Sequence, residues 1–180
     1  MNFRDHLVAQ FDTVHYSPTL HRCKHFRISA KVYTKHSIIV LLYQSYDDYM
    51  SFLCGIDGSN PTVLNYTGQN CWTYNSTVYG PDLNLPSITI ARLNQSRVVQ
   101  RTIQNIAGNE PYNVGFSAPY GTSMKVSLNH FSLGSGERQV LSVIFNATSN
   151  SSATSYGRIG LYGNQGHVVN IPVAVIFKIL

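Results

Sequence analysis

Charge is scarce in this chain. Asp, Glu, Lys and Arg make up 12% of its 180 residues, and the net excess of +5 is unevenly placed. Residues 1 to 44 hold six Lys or Arg against two acids, and the rest of the chain holds seven against six. The high pI therefore belongs to the N-terminal quarter. No basic stripe with interleaved aromatics runs through the remainder, which argues against a nucleic-acid partner. Long apolar runs are missing too. The longest before the C-terminus, Ile38 to Leu42, is far too short to cross a bilayer, so no membrane partner is expected. Met1-Asn2-Phe3-Arg4-Asp5-His6 starts no apolar h-region, so no secretion signal is expected at this N-terminus. No repeat of 20 to 50 residues is visible.

Cysteine is sparse. Cys54 and Cys71 stand with sixteen residues between them, turn formers among these, and Cys23 is isolated. A Cys54 to Cys71 pair would close a loop worth about 3 kcal/mol; two buried thiols are the alternative. Five glycosylation acceptor patterns begin at Asn65, Asn75, Asn94, Asn146 and Asn150. Roughly two or three would arise by chance from this composition, so the modest excess leans toward a secretory history.

The organisation changes along the chain. Residues 1 to 44 show neither a helical stripe nor sustained alternation, and they hold five of the seven histidines. They are expected to be poorly ordered. Ser45 and Asp48 then form a Ser-x-x-Asp capping box, after which Tyr49, Met50, Phe52 and Leu53 make one apolar face of a short helix ended by Gly55. Residues 55 to 81, rich in Gly, Asn and Thr, read as a surface loop or linker pinned to something apolar by Cys71 and Trp72.

From Ile88 the period is two. Ile88 and Ile90 alternate with Thr89; Tyr112, Val114 and Phe116 with Asn113 and Gly115; Met124, Val126 and Leu128 with Lys125 and Ser127. Phe131 and Leu133 begin another strand, and Leu141, Val143 and Phe145 repeat the pattern. Gly163-Asn164-Gln165-Gly166 is a hairpin signal between Ile159-Gly160-Leu161 and the run Val168 to Phe177. Seven or so strands over about 95 residues fit an all-β, immunoglobulin-like or fibronectin III-like antiparallel sandwich.

Particular runs carry a resemblance. Asp82-Leu83-Asn84-Leu85-Pro86-Ser87-Ile88, Arg101-Thr102-Ile103-Gln104-Asn105-Ile106, Ala118-Pro119-Tyr120-Gly121, Lys125-Val126-Ser127, Tyr156-Gly157 and His167 to Pro172 follow one another in order. Together they resemble the C-terminal fibronectin III-like domain of plant subtilisin-like serine proteases. Asp48-Tyr49-Met50-Ser51-Phe52-Leu53-Cys54 resembles the last helix of the catalytic domain in that family. The resemblance covers residues 45 to 178, about three quarters of the chain. Leu85 stands where the family often has an aromatic, Leu128 where it usually has Pro, and Leu161 where Trp is common. These departures bear on packing. Upstream of Ser45 the resemblance stops, since Leu41-Leu42-Tyr43-Gln44 does not supply the family's Asp-Pro-Gly-Leu stretch. Residues 1 to 44 are thus expected to be a non-family segment, an alternative start. The divisions are 1 to 44, a helix and disulfide-closed linker over 45 to 81, and the fibronectin III-like domain over 82 to 178.

Chemistry is thinly represented. Gly121-Thr122-Ser123-Met124 matches the sequence that carries the subtilisin nucleophile, but Lys125-Val126-Ser127-Leu128 continues it as a strand instead of a helix. Alternation then places Ser123 on the solvent face opposite Met124, and the family's Asp-Ser/Thr-Gly and His-Gly-Thr sequences are absent. No catalytic residue is assigned. His21, Cys23 and His25 alternate at period two but match no zinc spacing, so no metal or other cofactor is expected. Asp47 and Asp48 complement the helix dipole. His167 has no carboxylate near it in sequence and is expected to face solvent beside a turn.

The resemblance implies a non-catalytic accessory module of a secreted, apoplastic endopeptidase, whose partner is a subtilisin-like catalytic domain absent from this chain. Such a module packs on the catalytic domain and supports its stability and activity. An exposed apolar patch on the sandwich or on the 45 to 54 helix is then expected. The alternative is a free-standing secreted β-sandwich that binds a protein or a glycan.

Overall fold

The computed structural model describes the backbone of residues 30–34 and 37–42, and residues 45–74, 78–106, 108–149 and 154–177 in full. Among the described residues, ten strands and two α-helices follow one another: β1 Ala30–Thr34, β2 Ser37–Leu42, α1 Tyr46–Cys54, α2 Asn60–Thr67, β3 Ile88–Ala91, β4 Ser96–Asn105, β5 Glu110–Ser117, β6 Thr122–Val126, β7 His130–Leu133, β8 Arg138–Ala147, β9 Thr154–Gly163 and β10 Val168–Ile176.

The strands form two five-stranded sheets, in the orders β1-β2-β4-β8-β6 and β3-β10-β9-β5-β7. Neighbours are antiparallel except β3, which runs parallel to β10 with Ile88 opposite Val173. The alternation read from Ile88 onward is realised as burial. Val99 and Ile103 of β4 and Leu141, Val143 and Phe145 of β8 are fully buried against Ile159 and Leu161 of β9 and Ile171, Val173 and Val175 of β10. One core thus sits between the two inner faces, as two stacked sheets require. Tyr112 and Phe131 stack within it at 5.5 Å between ring centroids. The pattern weakens at Val114, Val126 and Leu128, which are partly buried, and at Phe116, which is exposed near the end of β5.

Two expectations need correction, both in the 55 to 81 stretch. Upstream of it, β1 and β2 form a hairpin, and Val40 to Leu42 of β2 pair with Ile103 to Asn105 of β4. A β-branched run such as Ser37-Ile38-Ile39-Val40 satisfies its backbone by adding to the open edge of a sheet, whether or not it alternates. His21, Cys23 and His25 lie outside the described residues.

The 55 to 81 stretch is not simply loop. Asn60–Thr67 is helical, with Pro61 in its first turn and Gly68 in the left-handed conformation (φ 69°) just past its end. Those residues are the start and stop signals of a helix as well as turn formers. Trp72, expected to pin this stretch, is 88% exposed. The anchoring falls to Cys71, joined to Cys54 by a disulfide with Cα atoms 5.3 Å apart.

Candidate functional site

The 45 to 79 appendage is compact yet presents apolar surface. Ser45 caps α1 reciprocally: its Oγ accepts from the Asp48 N–H at 3.2 Å, and its own N–H donates to Asp48 Oδ2 at 2.9 Å. Asp47 and Asp48 lie in the first turn, where the helix dipole favours acids. The disulfide and the Cys71 N–H, donating to Asn60 Oδ1 at 2.9 Å, tie α1, α2 and the short 3-10 turn Cys71–Thr73 together. The two helices bury only Met50 and Val63, while Leu53, Ile56, Leu64, Tyr66, Trp72 and Tyr79 are exposed. These exposed apolar side chains lie on one small unit cross-linked by the disulfide.

The run from Asp82 to Ser87 fastens this appendage to β4. Asn84 pairs with the Thr102 backbone as a strand would, Nδ2 donating to the carbonyl at 2.8 Å and Oδ1 accepting from the N–H at 3.0 Å. Leu83 is buried. Arg97 Nη2 meets Asp82 Oδ2 at 2.6 Å, with its guanidinium 5.4 Å from the Tyr79 ring centre. Arg101, 1% exposed at an inward position of β4, donates Nη1 to the carbonyls of Pro81 (2.9 Å) and Gln100 (2.7 Å) and Nη2 to that of Ser87 (2.8 Å). Burial draws its pKa down to about 10, opposed by the Asp82 charge. Asp82, Leu83, Asn84, Ser87, Arg101 and Thr102 belong to the motifs that carried the family resemblance, and here they join the appendage to the sandwich.

His167 is not the isolated, solvent-facing residue expected. It is half-buried, and its Nδ1 lies 2.9 Å from Glu110 Oε2. Glu110, 2% exposed, also accepts the Gln165 N–H at 2.8 Å. Burial by itself would raise the Glu110 pKa, but the Gln165 N–H, His167 and Tyr112 outweigh it and hold the carboxyl below its ordinary value. The buried Tyr112 hydroxyl is pushed upward by burial and by Glu110. The cluster staples the β9–β10 hairpin to β5. It was hidden in the sequence because Glu110 and His167 are 57 residues apart. The inward parity of a lone Glu at the start of an alternating strand was the available signal.

Ser123 lies on β6 beside the buried Met124, and its Oγ accepts from Asn146 Nδ2 at 3.3 Å. An amide is no general base, so this pair does not make a nucleophile. Two shallow hollows, of about 290 and 370 Å³, include Glu110 and Arg101, respectively, in their walls. Among the described residues no three His, Cys, Asp or Glu side chains converge as metal ligands. Asn65 and Asn94 are exposed and Asn146 is half-buried; Asn75 and Asn150 lie outside the described residues. Among the described residues no helix is long and apolar enough to cross a membrane.

A two-sheet sandwich with such an appendage defines a class, and comparison agrees with it. The family model described as "Fibronectin type-III domain" matches residues 82–175, and the chain belongs to that family. Its relatives are more particular. The chain is 61% identical over 135 residues to subtilisin-like protease SBT2.3 of Arabidopsis thaliana, and 57% identical over 137 residues to SBT2.1 of the same plant. These matches cover 75% and 74% of this chain but 16% of each relative. The chain is thus homologous to the fibronectin III-like region of plant subtilisin-like proteases and spans about a sixth of their length. Among solved structures, a FixG-related protein from Vibrio parahaemolyticus aligns with a TM-score of 0.39 at 15% identity, over 47% of this chain and 80% of that one.

Proposed function

We propose that this chain serves as the non-catalytic accessory part of a secreted subtilisin-like serine endopeptidase, seated on the catalytic domain and supporting its stability and activity. The observation that carries this reading is the exposed apolar array of Leu53, Ile56, Leu64 and Trp72 on a disulfide-closed appendage. A rigid apolar surface loses little entropy when a partner covers it, which suits permanent docking within one enzyme. The substrate-cleaving residues then belong to the partner domain, and Ser123 takes no part.

The test is a chimera. Residues 45–178 of this chain replace the matching region of a full-length relative, and peptidase activity and thermal inactivation are followed. The expected chimera is active, and Leu53→Ser with Trp72→Ser shortens its half-life without unfolding the sandwich. A protease equally active and stable with the region deleted would overturn the reading.

A further inference from the structure

The outward face of the β3-β10-β9-β5-β7 sheet has a composition that the docking role does not use. Along β9, alternation brings Tyr156, Arg158, Gly160 and Tyr162 to that face. Tyr156 is 75% exposed and Tyr162 40%. Register places Gly115 of β5 and Asn170 of β10 on either side of Gly160, and Asn113 beside Tyr162.

The Tyr162 ring fills the space that side chains would occupy on these glycines. A Cβ at Gly115 would lie 3.1 Å from its Cε2, and one at Gly160 would collide with the ring. The ring therefore rests on a glycine floor, held there as a platform, and Gly160 is buried although it lies on an outward face. Ser155 Oγ donates to the Tyr120 carbonyl at 2.8 Å, which brings the exposed Tyr120 beside the Tyr156 end. Among the described residues, the outward positions of these five strands include no Asp or Glu, while Arg158 is exposed at the centre of the strip.

We infer that this strip binds a linear acidic polysaccharide, one built of uronate sugars. Tyrosine faces stack on the C–H faces of pyranose rings, exposed Asn113 and Asn170 amides suit sugar hydroxyls, and Arg158 meets a carboxylate bidentately. Tyr156 and Tyr162, six residues apart on one strand, are separated by about 20 Å, room for several rings end to end. A single central cation with aromatics at both ends fits a chain of spaced carboxylates better than the dense phosphates of a nucleic acid. The inference uses no residue of the appendage and stands apart from the docking role.

The experiment measures binding of the full chain to polygalacturonate by affinity electrophoresis and to oligogalacturonides by calorimetry. Neutral cello-oligosaccharides and polyglutamate serve as comparison ligands. Binding to the uronate chain is expected, weakened about tenfold or more by Tyr156→Ala and by Tyr162→Ala. Arg158→Ala should abolish the preference for uronate over the neutral chain. Tyr162→Phe, which keeps the ring over the glycines, should retain binding and guards against a folding effect in Tyr162→Ala. Absent binding, equal binding of the neutral chain or of polyglutamate, or affinity unchanged in Tyr156→Ala would each overturn the inference.

Discussion

The Glu110 carboxylate and the His167 ring meet at 2.9 Å although 57 residues separate them, and the Gln165 N–H completes the contact at 2.8 Å. An ionised carboxylate only accepts, so His167 Nδ1 carries the proton in this pair. The contact fixes where the β9–β10 turn sits over the start of β5.

Its pH dependence follows from the sign of the Glu110 shift. The folded carboxyl lies below its ordinary 4.5, so its stabilisation is present above that value and is lost as pH falls through the lower folded value. Glu110→Gln should be less stable by about 1 to 3 kcal/mol near neutrality and lose less stability on acidification than the parent. Thermal melts between about pH 7 and pH 3 check both statements. Parallel curves for the two proteins would contradict the assignment.

Asn84 acts as a piece of strand. Asn84→Ala leaves both Thr102 backbone groups without this partner and should cost about 1 to 3 kcal/mol in urea unfolding. Asp82→Ala, which breaks a pair about one third exposed on each side, should cost about 1 kcal/mol at most. The order of these two effects is the informative result.

Gly157 has no room for a side chain, because a Cβ there would collide with the Ser117 carbonyl oxygen and the Pro119 ring. Gly157→Ala should destabilise by about 1 to 3 kcal/mol through overpacking against backbone. Gly108→Ala, with nothing within 4 Å, is the matched control and should be nearly neutral. Chemical denaturation of the two variants side by side provides the comparison.

The Cys54–Cys71 bridge closes a loop of 17 residues, for which chain entropy predicts about 3 kcal/mol. Cys54→Ser should lower hydrogen-exchange protection in α1 and α2 while leaving the slow amides of β8 and β9 unchanged. Loss of protection throughout the sandwich would mean that the two parts unfold together.

Among the described acceptor sites, Asn94 is exposed in the loop between β3 and β4, whereas Asn146 sits on β8 with its amide donating to Ser123. After expression through a secretory pathway, peptide mass spectrometry should find glycan on Asn94 and little on Asn146. Full occupancy of Asn146 would show that its hydrogen bond to Ser123 does not withhold the amide.

Local pattern announced some parts of this protein and not others, for reasons visible residue by residue. Ile88 and Ile90, or Leu141, Val143 and Phe145, are apolar at period two, and that period holds wherever one sheet face is buried. Ser45 and Asp48 are three residues apart, so their capping box needed no knowledge of the fold. The helix at Asn60 escaped because Pro61 and Gly68 serve turns and helix ends alike. The strand at Ser37–Leu42 escaped because a hairpin added to a sheet edge announces itself through its partner, β4.

The sequence alone determined the sandwich and its family, because alternation, caps and motif order act over a few residues and do not depend on distant neighbours. Only the tertiary structure decided that Arg101 turns inward to grip three carbonyls, that His167 meets Glu110, that Trp72 stands exposed, and that Tyr162 lies across two glycines. The His167–Glu110 contact and the seat of Tyr162 over Gly115 depend on strands that are neighbours in space and remote in sequence, and the register between such strands is a property of the whole packed core.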